Sequence, residues 1–260
     1  ILISKSIVRY SFMKIGIIGT GSIGGTLARK IREAGHEVSV ANSKGVEGVQ
    51  SFADEIGAHA VDIYGAVSNV DLIIVSIPFS AIADLPSDLF DNVPLDIPVV
   101  DTSNYYPDMR DPHIAEIDQG QVESLWVSEQ LKRPVIKAFN NMLAYSLSQN
   151  GLPEGSSNRL ALAVAGDDAL SKKKVMDLVN DIGFDPVDAG SLQDSWRQQP
   201  STPAYCCDWN AQEMKEALSD AVKGEAPKKR DKLPEYFASL GENPSHSEVI
   251  ALNRAVNAPK

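Results

Sequence analysis

Cysteine is nearly absent: two residues in 260, adjacent to one another as Cys206 and Cys207. That is too few for the disulfide framework of a small secreted domain, and neighbouring cysteines rarely bridge, so a reducing, cytoplasmic setting is expected. No apolar run approaches the roughly 18 residues of a membrane-spanning helix, so no membrane partner is expected. Positive charge is also short. The formal net charge of −11 would repel nucleic-acid phosphates over most of the surface, so nucleic acid is excluded as a partner and any phosphate site must be local. His36, His59, His113 and His246 are scattered with no motif joining them, which points to structural or surface roles. No spacing suggests a metal site. No internal repeat or low-complexity tract occurs. Residues 1–12 lack a long apolar region and a cleavage site, which argues against a signal peptide and for an extension ahead of a start at Met13.

What is present is a hydrophobic fraction of 43%, enough for a full core, arranged as short β-branched runs alternating with helical patterns. Strands are predicted over 14–19, 37–42, 71–77, 97–102, 134–139, 160–166 and 184–188, with a weaker one over 58–62. Several are apolar throughout, as expected of a parallel sheet covered on both faces by helices. A helix is predicted over 22–35, with Leu27, Ile31 and Ala34 at helical spacing and Gly35 as its stop. Another is predicted from Asp167 or Asp168 to Gly183, burying Val175, Met176, Leu178, Val179 and Ile182. After Gly190 the chain becomes polar and turn-rich but carries Trp196, Tyr205 and Trp209, a composition that suits a loop covering a site or a partner surface. The last fifty residues read as two or three short helices, one opening at Ser245 or Ser247, with Lys228-Lys229-Arg230 as a solvated linker. The fold class is therefore α/β: a Rossmann-type, doubly wound, mostly parallel sheet. Residues 13–145 form a dinucleotide-binding domain, 146–210 a smaller α/β portion that completes the sheet and an acceptor site, and 211–260 a helical tail.

The most informative stretch is Gly19-Thr20-Gly21-Ser22-Ile23-Gly24, a G-x-G-x-x-G loop that follows an apolar strand and opens a helix. Its glycines suit a tight turn, close approach of a pyrophosphate, and close packing of helix on strand, while the helix N-terminus supplies free amides and partial positive charge. Where NAD-binding proteins carry a carboxylate, at the end of the second strand, this chain has Asn42, Ser43 and Lys44. An amide, a hydroxyl and an ammonium can donate to a 2′-phosphate that a carboxylate would repel, which favours NADP over NAD. Ser76, Ile77 and Pro78 follow the next long strand at the edge where open α/β sheets bind ligands; Pro78 also suits a helix start. Ser103, Asn104, Lys137 and Asn140 reach the same edge and are candidates for nicotinamide or acceptor contacts, although helix capping would also explain Asn104 and Asn140.

Taken together, the glycine loop, "ANSKG", "SIPFSAI", "DTSN", "VIKAFN" and the segment from Val164 to Leu192 resemble the NADPH-dependent coenzyme F420 reductase family, in order from about Met13 to Leu192. The cytoplasmic reductase domain of the STEAP metalloreductases is similar over the same motifs. The resemblance implies an NADP-binding Rossmann domain with a smaller C-terminal portion, usually dimeric, that moves a hydride between the nicotinamide and a deazaflavin (F420) or flavin ring. By motif, Gly19, Thr20, Gly21, Ser22 and Ile23 would hold the diphosphate, Asn42 to Lys44 the 2′-phosphate and Ser76 to Pro78 the nicotinamide ribose. Archaeal members are shorter, so the loop after Leu192, the cysteine pair and the tail lie outside the match, and "YYPDMRDPH" stands where those enzymes meet their deazaflavin. Transfer between stacked rings requires facing and proximity more than an acid or base, so no catalytic residue is assigned. Two alternatives remain: a reductase of a small imine or carbonyl compound, and a sensor that binds NADP(H) without oxidising it.

Overall fold

The computed structural model describes residues 12–259; the extension expected at the N-terminus lies outside them except for Phe12. In chain order the elements are β1 (Lys14–Ile18), α1 (Ser22–Glu33), β2 (Glu37–Ala41), α2 (Gly45–Ile56), β3 (His59–Ala60), β4 (Leu72–Val75), β5 (Val99–Asp101), α3 (Ala115–Asp118), α4 (Glu123–Leu131), β6 (Ile136–Lys137), α5 (Ala144–Gln149), β7 (Ala161–Val164), α6 (Ala169–Asp181), β8 (Asp185–Asp188), α7 (Ala211–Asp220), α8 (Ala226–Arg230), α9 (Leu233–Ala238) and α10 (His246–Asn257). Short 3-10 segments occupy Phe79–Asp84 and Leu192–Gln198.

Six strands form one sheet in the order β3-β2-β1-β4-β5-β6, every pair parallel. The chain leaves β1 toward β2 and β3, then returns to the other side of β1 as β4, so the order reverses between β1 and β4. At that point the connections on either side diverge and leave a crevice beyond the carboxyl ends of the strands. β7 and β8 pair with each other in parallel and meet the large sheet through one antiparallel bridge, Lys137 to Ala165.

Alternation along the strands divides the apolar side chains between two faces. Ile15, Ile17, Val38, Val40, Leu72 and Ile74 pack with Leu27, Ala28 and Ile31 of α1; Ile18, Ile73, Val75 and Val99 pack on the other side with Phe79, Trp126 and Val127. Full burial of each such side chain contributes on the order of 1.5–3 kcal/mol, so the frame that carries the glycine loop is anchored on both faces of the sheet. α6 buries Val175, Leu178, Val179 and Ile182, with Met176 at its margin. Asp168 caps it by accepting from the Ser171 amide, while Asp167 accepts from the Leu192 amide.

The tail departs from expectation in two ways. It forms four helices, because Pro227 and Pro234 sit in the first turns of α8 and α9, where a missing amide hydrogen costs nothing and the fixed φ helps. The basic run is not a solvated linker either. Lys229 and Arg230 are each 8% exposed; the Lys229 ammonium donates to the Ala258 carbonyl at 2.6 Å, and the Arg230 guanidinium lies 5.3 Å from the centre of the Tyr105 ring. Their long aliphatic stems make such burial tolerable once each head finds acceptors. At α10, Ser245 is the cap, in a reciprocal box with Glu248. Among the described residues no helix is long and apolar enough to cross a membrane.

Candidate functional site

The glycine loop leaves β1 at the point of strand-order reversal. Gly19 has φ +102, and a Cβ there would meet the Ser76 carbonyl oxygen at 2.1 Å; a Cβ on Gly24 would meet the Gly19 carbonyl oxygen at 2.0 Å. Both positions therefore admit glycine alone, the first for the turn and the second for the approach of α1 to β1. Gly21 differs, since a Cβ there would meet nothing within 4 Å. Its backbone faces open space, which lets a diphosphate come close. Gly21 is also the N-cap of α1, which has no side-chain cap and no acidic residue in its first turn. An uncapped twelve-residue helix aimed at the crevice fits a dinucleotide diphosphate.

The turn after β2 is tied to this loop. Asn42 donates to the Thr20 hydroxyl at 3.1 Å and accepts from the Lys44 amide at 2.9 Å, an Asx turn that leaves Ser43 and Lys44 exposed beside the crevice. No carboxylate stands in this turn. On the opposite side the Ser76 amide donates to the Ile18 carbonyl at 2.8 Å, which seats Ser76 and Ile77 against Gly19. Pro78 is exposed and precedes the 3-10 segment, in line with its reading as a helix start.

Beyond β5 and β6 two of the candidate side chains, those of Lys137 and Ser103, are engaged within the fold. Lys137 is fully buried; its ammonium lies 2.9 Å from Asp101 and also donates to the Ser103 carbonyl. Ser103 turns inward as well, its amide and hydroxyl donating to Asp101 at 2.8 and 2.5 Å, and Ser124 adds a fourth donor at 2.8 Å. Neither Lys137 nor Ser103 presents its side chain to the crevice. The reason is energetic: a carboxylate at the end of a buried strand must be surrounded by donors, and these are the groups within reach. Buried Glu123 sits beside this cluster, accepting from the Tyr105 amide at 3.2 Å. Burial pushes its carboxyl up to about 7, with Lys137 and Arg230 opposing the rise.

Asn104 and Asn140 do come together, bonding each other rather than capping helices: the Asn140 amide donates to the Asn104 side-chain oxygen at 3.0 Å, and the Asn104 amide donates to the Asn140 carbonyl at 3.0 Å. Gln198 closes the network from the 3-10 segment, donating to Asn140 at 2.9 Å. Asn140 is therefore saturated and buried, whereas Asn104 is half-buried and also reaches the Tyr205 hydroxyl at 3.4 Å. Tyr205 in turn makes a short hydroxyl-to-hydroxyl hydrogen bond with Tyr106. Burial pushes both phenols above their ordinary range, so both are protonated at neutral pH. Gln198, Tyr106 and Tyr205 were not assigned to the site from sequence. Tyr205 stood out as an aromatic in a polar loop, and Tyr106 lay in a segment of interest, but nothing local joins residues 99 positions apart.

The remaining chemistry-bearing groups are engaged elsewhere. His36 is buried, accepting from the Met13 amide at 3.2 Å with Asp181 at 3.3 Å. His113 is exposed between Asp118 and Asp108, whose hydrogen bonds raise its imidazole. His246 meets Asp208 and Ser146, each at 3.1 Å. Both cysteines are free and buried; burial pushes Cys207 up to about 12 and Cys206 higher still, which leaves them as unreactive thiols.

Residues 14–105 match the family described as NADP oxidoreductase, coenzyme F420-dependent. The protein YjhV of Escherichia coli K12 is 53% identical over 116 residues, which is 44% of this chain and 82% of that protein. Among solved structures, hypothetical protein SMa0349 of Sinorhizobium meliloti superposes with a TM-score of 0.61 at 29% identity, over 74% of this chain and 92% of that one. A candidate F420-dependent NADP reductase from Arthrobacter sp. FB24 gives 0.58 at 19% identity, over 88% of this chain and 94% of that one, a likeness of fold. The glycine loop, the acid-free turn after β2 and the matching segment agree: the chain belongs to the family of coenzyme F420-dependent NADP oxidoreductases and is an NADP-dependent oxidoreductase.

Proposed function

We propose that this protein transfers a hydride between NADPH and a ring-shaped redox acceptor, a deazaflavin such as F420 or a flavin. The observation that carries the reading is the crevice at the β1/β4 reversal: a glycine cradle under an uncapped helix on one side, and the exposed Ser43 and Lys44 in place of an acid on the other. In this reading the amides of Thr20 to Ile23 bind the diphosphate, Asn42 fixes the turn from which Ser43 and Lys44 grip the 2′-phosphate, and Ser76 to Pro78 flank the nicotinamide ribose. The nicotinamide supplies the hydride when bound. The chain's own contribution is orientation and exclusion of water, for which Asn104 and the Tyr105–His113 segment form the acceptor-side wall next to β4. That wall is tied to the cofactor side where the Thr102 amide donates to the Val75 carbonyl at 3.2 Å and the Ser80 amide to Asp111 at 3.2 Å. Asn140 and Lys137 support it from beneath.

The test is an anaerobic mixture of the protein with NADPH and, separately, F420, FMN, FAD and a small carbonyl compound, followed by absorbance. Oxidation of NADPH with bleaching of one ring acceptor is the expected result. Turnover of the carbonyl compound alone would replace the ring acceptor by a small substrate, and tight NADPH binding with no turnover would favour a sensor.

A further inference from the structure

The tail lies outside the matched family segment, yet one face of α10 is spent on a single task. Asn257 donates to the carbonyl of Tyr205 at 2.9 Å, Asn253 to that of Cys206 at 2.9 Å, and Arg254 to those of Cys207 at 2.8 Å and Asp208 at 3.0 Å. Four consecutive carbonyls are thus held by three side chains spaced along one side of a helix. The loop so held is strained: Cys206 and Asp208 have φ of +54 and +50, a region that non-glycine residues occupy only when their surroundings enforce it. Further ties come from the Asn141 carbonyl, which accepts from the Cys206 amide at 2.9 Å, and from Arg254, whose guanidinium covers the Trp209 ring at 4.2 Å.

This strain delivers the Tyr205 hydroxyl to Tyr106 and Asn104 at the sheet edge beside the crevice. A phenol can donate one hydrogen bond and accept two. Among the described residues, the Tyr106 hydroxyl has Tyr205 as its one hydrogen-bond partner. If Tyr205 donates, the hydrogen of Tyr106 is unused; if Tyr106 donates, its lone pairs are. Either way the pair keeps one hydrogen-bonding position without a partner among the described residues. A tyrosine edge with Asn104 beside it suits a planar ring that carries carbonyl and N–H groups, as the dione end of a flavin or deazaflavin does.

We propose that the Tyr106–Tyr205 pair docks the carbonyl-bearing edge of the hydride acceptor, and that α10 acts on the reaction as a positioning element, through Asn253, Arg254 and Asn257 holding Tyr205. This rests on the ring-acceptor reading above. The experiment compares the full-length protein with Y205F, Y106F, N257A and the Y205F/N257A double variant. It measures NADPH dissociation constants by fluorescence, ring binding to the NADP+-loaded protein with FMN and F420 as probes, and KM and kcat for whichever ring turns over. Y205F and Y106F are expected to weaken ring binding and raise its KM tenfold or more, with NADPH affinity unchanged within twofold. N257A is expected to shift the same parameter, and to add nothing in the Y205F background. Unchanged ring affinity in Y205F, or no ring binding by the parent protein, overturns the docking role. An N257A effect as large without Tyr205's hydroxyl as with it overturns the positioning role. Ring binding that depends on Tyr205 but is followed by no turnover keeps the docking role and defeats hydride transfer, so the two failures are told apart.

Discussion

At the scale of single residues, Lys44 bears the most on cofactor choice. It stands exposed in a turn fixed by Asn42, where an acid would bind the ribose of NAD. A charge-assisted hydrogen bond to a phosphate contributes about 1.5–3 kcal/mol. Lys44→Asp should therefore weaken NADPH binding by about 10- to 100-fold and improve NADH binding, as read by fluorescence titration of both nucleotides. An unchanged preference would remove Lys44 from the site. Lys137 shows the opposite lesson. Its position after a strand suggested a ligand contact, but its side chain belongs to Asp101, because an ion pair wholly removed from water must be satisfied from within.

At the scale of elements, the glycine loop makes a prediction that separates fold from function. At Gly24 an added methyl would collide with backbone at 2.0 Å, whereas at Gly21 it would meet open space. Gly24→Ala should lower the melting temperature by several degrees, a destabilisation of about 1–3 kcal/mol from overpacking, and lose NADPH. Gly21→Ala should melt within a degree or two of the parent and still bind NADPH at least tenfold more weakly, because its methyl occupies the space the diphosphate needs. Thermal melts and nucleotide titration of both variants check the contrast. The strands and α1 were legible in the sequence because their apolar runs, turns and stops are local signals. The helices of the tail were less so: Pro227 and Pro234 look like breakers in a linear reading, yet they sit at helix starts.

At the scale of the whole molecule, buried Glu123 links stability to pH. Its carboxyl lies at about 7 in the folded chain against an ordinary value of 4.5, chiefly because burial disfavours the charge. A raised value means that the folded state holds its proton more tightly than the unfolded state does. The stabilising contribution is complete below 4.5 and is lost as pH rises to about 7, a change on the order of 3 kcal/mol. Glu123→Gln keeps an acceptor for the Tyr105 amide and removes this dependence. The variant should gain stability over the parent at pH 8 and show a flatter profile between pH 4.5 and 7 in urea unfolding. A parallel pair of profiles would show that Glu123 does not titrate in that window.

The same scale separates the two sources of information. By itself the sequence determined the parallel α/β class, the glycine loop between strand and helix, the acid-free turn after the second strand, and the edge of the sheet that these segments share. Each depends on residues within one βαβ unit, whose spacing dictates where they fall. Tertiary structure alone decided that Lys137 and Ser103 close around Asp101, that Lys229 and Arg230 are buried, and that Tyr205 meets Tyr106. Lys137 meets Asp101 across 36 positions, Lys229 meets Asn257 across 28 and Tyr205 meets Tyr106 across 99, and which groups meet across such distances is set by how helices and sheet pack and by the need to satisfy every polar group the packing buries.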